Sequence, residues 1–270
     1  NTPSDSIGRE FYTFDDLVAA KRVQSSDVSF VIPRRNWTAG TIYDTYSHDI
    51  GEYTTGSTSV RKTSNSGATT LFDSTFYVLS SARNVYKCLD NNGGATSTDE
   101  PTGVSTSVIT TTDSYKWKFM YTLSAAQQSN FLSTDFMAVS SNANANTDQS
   151  NVISAAVDGA IDIVKIKTPG SGGTNGSFAG IPIRGDGNGG IATVVVSGGA
   201  VTSVSVTTPG TGYTFATISN AQIVSAGATN LAGSELDVII PPKGGHGANA
   251  QEELGAFFVM MNTSLEGTES

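Results

Sequence analysis

The stretch "SYKWKFMYTL", residues 114–123, alternates Tyr115, Trp117, Phe119 and Tyr121 with Lys116, Lys118 and Met120. Two kinds of chemistry match that spacing. Aromatic faces flanked by ammonium groups can stack and neutralise a single-stranded nucleic acid. The same period of two describes one β-strand, with its aromatic face in a core and its lysines in water. The charge balance decides between them. Acidic residues outnumber basic ones 24 to 15, for a net charge of -9, whereas a nucleic-acid binder needs an excess of cations to displace counterions from phosphate. The stretch therefore reads as a strand, its aromatics packed against "FFVMM" or "FYVL" and its lysines on a wet face.

Other reactive types are sparse. The two histidines, His48 in "TYSHDI" and His246 in "KGGHGAN", lie far apart and lack the spacing of metal ligands. No G-x-S-x-G elbow or H-E-x-x-H motif accompanies them, so both read as loop or structural residues. In "RGDGNGG", Asp186, Asn188 and Gly190 echo the start of a calcium loop, but the twelfth position is Ser197 where an acid is required. A tight glycine turn is the better reading. The adjacent acids Asp99–Glu100 and Glu252–Glu253 follow each other in loop or helix-start positions. Cys88, the single cysteine, sits in a strand-like setting as a small hydrophobe and excludes an internal disulfide. No pattern calls for a catalytic residue, a metal or a cofactor. Arg34, Arg35 and Trp37, in "VIPRRNW", are the side chains best suited to anchor a partner, since Arg and Trp dominate interface hot spots. The arginine pair has two readings, bidentate contacts to a neighbour's carboxylates or an exposed edge pair. Under the first, replacing both is expected to weaken assembly and leave the fold intact.

The elements that must carry these residues are mostly strands. Charged residues are only 14%, and Gly, Ser, Thr and Asn supply a turn-rich, β-forming polarity. The reading is a mainly β, multi-domain chain with a few short helices. Helices are expected at about 14–22 and, behind the Ser124–Gln127 capping box, at about 125–132. Residues 38–70 read as polar turns, and "SSNANANTDQSN", 140–151, reads as a linker. Residues 157–228 form a Gly/Thr-rich module in which TPG-x-G recurs forty residues apart, at Pro169 and Pro209, with a hairpin at Gly198–Gly199. It is expected to be inserted in a larger β-rich domain built from 1–150 and 232–270. The long loops 53–70 and 95–113 are costly to order alone, at about 1–2 kcal/mol per residue, so a neighbour is expected to hold them. No apolar run is long enough to cross a bilayer.

Three stretches together are distinctive: "VIPRRNW" (31–37), "VYKCLDNNGG…PTG…DSYKWKFMYTL" (85–123) and "ELGAFFVMMNTSLEG" (253–267). They resemble the dimer-forming baseplate wedge subunits of T4-like myophages, in their cyanophage form. The likeness covers about half the chain. It implies a non-enzymatic virion protein of the tail baseplate that pairs with a second copy of itself and joins other wedge subunits, with neither nucleic acid nor membrane as partner. It also implies that more sheet-forming sequence follows residue 270. Two other readings remain beside it. They are a receptor- or glycan-binding tail module, drawn from the Tyr- and Asn-rich loops, and a polysaccharide-degrading tail enzyme.

Overall fold

The computed structural model describes residues 21–55 and 58–264. The helix expected at about 14–22 lies outside them except for its last two residues. Strand makes up 35% and helix 15%, so the fold is mainly β with a few short helices. The first strands are β1 (Val28–Pro33), β2 (Gly51–Thr55), β3 (Thr58–Lys62), β4 (Tyr77–Leu79), β5 (Asn84–Asp90), β6 (Ile109–Thr110) and β7 (Lys116–Thr122). Helix α1 (Ala125–Phe131), strand β8 (Phe136–Ala138) and helix α2 (Thr147–Ala155) follow. Next come β9 (Ile163–Ser171), β10 (Gly176–Pro182), β11 (Arg184–Gly185), β12 (Ile191–Ser197), β13 (Ala200–Thr208), β14 (Ala216–Thr217) and α3 (Asn220–Ser225). Strand β15 (Ala232–Ile239), helix α4 (Ala250–Leu254) and strand β16 (Phe258–Met261) end the described chain.

A four-stranded antiparallel sheet in the order β4-β5-β7-β6 is the centre of the first half. Its aromatic strand β7 is buried on both faces, not on one. Tyr115, Trp117 and Phe119 pack with Tyr86, Cys88 and Val152. Met120 and Tyr121 pack instead with Phe76, Tyr77 and Leu254. A bulge causes this split, because Phe119 and Tyr121 face the adjacent residues Tyr86 and Val85 of β5. The expectation of wet lysines fails here: Lys118 is 5% exposed, and Lys87 opposite it is fully buried.

Lys87 is matched by Glu253 of α4, which reaches across the sheet to form an ion pair with both side chains out of solvent. The remaining oxygen of Glu253 accepts the Gly247 and Asn249 amides at 2.8 and 3.1 Å. Both carboxylate oxygens are thereby engaged, and the Lys87 ammonium also lies 4.9 Å from the centre of the Tyr46 ring, contacts that offset part of the cost of desolvating the pair.

Polar segments are more ordered than their composition suggests. Strands β2 and β3 pair antiparallel, from Gly51–Lys62 to Thr55–Thr58, inside the stretch read as turns. The supposed linker at 140–151 is a short 3-10 turn and most of α2, whose start is capped by the Asn146 side chain accepting the Gln149 amide. Val152 anchors that helix on the sheet. Loop 95–113 is ordered from within. The Asp113 carboxylate accepts the Thr98 and Asp99 amides at 2.8 and 3.1 Å, and the Ser97 hydroxyl at 3.0 Å. Desolvation raises the pKa of that carboxyl, but the Thr111 hydroxyl and these amides outweigh it and bring it down to about 2.

The glycine-rich module is a second core, with β10-β12-β13 as its main sheet and α3 packed on it. The hairpin at Gly198–Gly199 closes β12 on β13, pairing Ser197 with Ala200. The two TPG copies diverge: the first stays inside β9, with Pro169 opposite Ser234, while the second leaves β13 as a turn. Tyr213 of the second copy is buried and donates its hydroxyl to the Ile183 carbonyl. At the matching Gly173, Leu231 approaches so closely that a Cβ would lie 3.0 Å from it.

One boundary requires correction. β15 pairs with β9 from Ala232–Ser171 to Ile239–Ile163, so residues 232–239, expected in the outer domain, form a two-stranded sheet with the module's first strand. Alternation along these two strands makes the joint. Ile163 and Ile239 enter the first core, while their neighbours Val164 and Val238 enter the module's core.

Removing one member of the Lys87–Glu253 pair leaves a buried charge unmatched, at a cost of about 3–5 kcal/mol. Glu253→Leu or Lys87→Met alone is therefore expected to lower the urea midpoint sharply. The double substitution is expected to recover most of that loss. Additive losses in the double-mutant cycle would show that the two side chains are not coupled.

Candidate interaction site

Strand β16 is the outer member of the sheet β16-β1-β8. It is delivered by α4, which stops at Gly255 in the left-handed conformation (φ 70°), where a Cβ would meet the Phe72 ring at 2.3 Å. The chain then extends along β1, pairing Phe258 with Val31, Val259 with Phe30 and Met261 with Val28. Its other edge is unpaired among the described residues. Contrary to the sequence reading, "FFVMM" is largely exposed: Phe257 is 72% exposed, Val259 59% and Met261 60%. Phe30, opposite Val259, adds to the same apolar surface. Neither a charge nor a proline interrupts residues 257–261, although open edges are ordinarily guarded by such residues. An apolar edge of this kind is a template for another chain.

Arg34, Arg35 and Trp37 continue from the end of β1, and the structure gives each of them work within the chain. Arg34 donates to the Asn36 side chain at 2.9 Å and to the Ser133 carbonyl at 2.8 Å. Arg35 donates one terminal nitrogen to the Phe72 and Asp73 carbonyls at 3.2 Å, and its guanidinium lies 4.7 Å from the centre of the Tyr77 ring. The Trp37 indole donates to the Ser97 hydroxyl at 3.1 Å. Arg35 alone of the three lines the cleft of about 480 Å3 that also holds Phe257 and Phe258. Replacing both arginines thus disturbs the fold as well as the surface.

Apart from Lys118, His246 and Glu253, the remaining residues singled out in the sequence do not converge. Asp186 accepts the Thr214 and Phe215 amides at 2.9 Å each and ties its glycine loop to the next turn. Glu100 accepts the Ser81 amide and hydroxyl, while Asp99 accepts those of Thr112. The Cys88 thiol is buried, which pushes its pKa well up and keeps it protonated. His48 accepts the Ile240 amide on Nδ1 at 3.2 Å, a bond that requires the neutral ring.

Sequence reasoning missed a cluster behind the sheet, formed by Lys87, Lys118, Asp162, His246 and Glu253. His246 is buried edge-on to Tyr46, at 5.0 Å between ring centres. Burial, reinforced by the charges of Lys87 and Lys118, holds its pKa well below the usual 6.5. Burial also lowers Lys118, against the pull of Asp162 and Glu253, and raises Asp162, against the pull of both lysines. The one available signal was the pairing of two lysine-bearing strands, since register sets Lys87 directly opposite Lys118.

In the unfolded chain, His246 takes up a proton near pH 6.5, whereas the folded site refuses it until far lower pH. Its contribution is complete above 6.5 and is lost as pH falls below that value. The melting temperature of His246→Phe is therefore expected to fall less steeply than that of the native chain over this interval. Parallel curves would refute the assignment.

Compared with known protein families, curated proteins and solved structures, the chain has no match.

Proposed function

We propose that the chain is a structural subunit of the contractile-tail baseplate wedge of a myophage, residing in the virion, joining wedge proteins and taking part in baseplate assembly and rearrangement on host attachment. The observation that carries this reading is the apolar edge of β16, unpaired among the described residues and guarded by neither charge nor proline. Its first partner is a second copy of the chain, and other wedge subunits follow. The resemblance in "VIPRRNW", "VYKCLD" and "DSYKWKFMYTL" supports the same reading, since those segments supply β1 and the central β5–β7 pair. A receptor- or glycan-binding module with an aromatic platform is less well supported. The tyrosines whose side chains are described, at 43, 46, 77, 86, 115, 121 and 213, are all buried.

Val259→Lys tests the edge, because it installs the charge by which natural edges resist pairing, at an exposed position. The native chain is expected to self-associate in sedimentation experiments and to enter wedge complexes. The variant is expected to keep its melting temperature and lose both properties. A native chain that stays monomeric and binds no wedge protein would refute the reading, as would a variant that assembles normally.

A further inference from the structure

A cavity of about 540 Å3 opens where the module meets the first sheet. That size is ordinary for a small-molecule site. Lys118 of β7 and Asp162, just ahead of β9, line it together with Ser107 and Thr211. Ala156, Ala160 and Val108 supply an apolar wall. The Lys118 ammonium donates to the Thr106 carbonyl at 2.6 Å, which leaves two of its three protons for other acceptors. Lys118 and Asp162 act on each other through space without forming an ion pair. His246 borders the same space, and its Nδ1 is buried without a partner among the described residues.

We infer that this cavity binds a neutral saccharide unit, hydroxyls toward Lys118 and Asp162 and a C–H face on Ala156, Ala160 and Val108. A hydroxyl group is both donor and acceptor, so one diol can accept from the ammonium and donate to the carboxylate. Burial weakens the charged forms of both side chains, and the hydroxyl serves either form of Asp162. A free anion would meet Asp162 as well as Lys118. A zwitterion would add the desolvation of two more charges, which a neutral sugar avoids. Because the walls come from the first sheet and from the module, a bound sugar holds the two together. This site is separate from the β16 edge, and its occupancy can be read on the isolated chain whatever the chain assembles with.

The test uses saturation-transfer NMR and thermal melting of the full chain with D-glucose, D-galactose and N-acetyl-D-glucosamine. At least one sugar is expected to show transfer and to raise the melting temperature. Asp162→Asn is expected to weaken that binding about tenfold or more, as loss of a charged hydrogen bond does. Ala160→Leu, which fills the apolar side, is expected to abolish it while the sugar-free melting temperature stays close to native. Absence of transfer from all three sugars would overturn the inference. So would binding that survives both substitutions, or glycine displacing the sugar more strongly than a second sugar does.

Discussion

Two lysines stand directly opposite one another on adjacent strands, on the buried side of a sheet. Lys87 of β5 and Lys118 of β7 are register partners, and both are removed from solvent. Like charges so placed repel, and each resists leaving water. No local residue relieves this, because the strand neighbours are aromatic or small. Relief comes from far along the chain, as Glu253 closes on Lys87 and Asp162, lining the same cavity as Lys118, pulls on its charge. The chain must therefore bring two distant segments back to this face, the entry to the module and the return from it.

The rest of the return path follows from Glu253. Its second oxygen fixes the Gly247 and Asn249 amides, and Asn249 in turn caps α4. His246, held between those contacts and Tyr46, is kept neutral by burial, with the charges of Lys87 and Lys118 adding to the effect. Helix α4 then ends at Gly255, and the strand that leaves it has only the outer side of β1 to pair with. β16 is thereby the outermost strand of the sheet among the described residues.

Local rules made part of this legible. The Ser124–Gln127 box starts α1, and Gly198–Gly199 turns β12 into β13, because both depend on residues within four positions. Longer-range outcomes were hidden. Alternation placed Lys118 away from Trp117 and Phe119 but could not reveal that α2 and the module cover that face. Helix α2 itself has few apolar side chains and is held by one buried valine and an asparagine cap, so it shows no hydrophobic period. β15 has the alternation of any half-buried strand, and nothing in "SELDVII" names β9 as its partner. "FFVMM" reads as core by composition, yet its place in the sheet order leaves it outside.

Arg35 shows why residue type alone misleads about interfaces. An arginine beside a tryptophan and a proline reads as an outward anchor, but here one terminal nitrogen of Arg35 donates to the carbonyls of residues 72 and 73 while its guanidinium packs on Tyr77. Holding Phe72 in place matters, because the Phe72 ring stands edge-on to Phe257 at 5.0 Å and against the turn at Gly255. Arg35 thus shapes the base of β16 from within the fold. Any partner that extends the sheet along that edge meets the backbone and apolar side chains of residues 257–261 first, with Arg35 as the floor of the cleft beneath them.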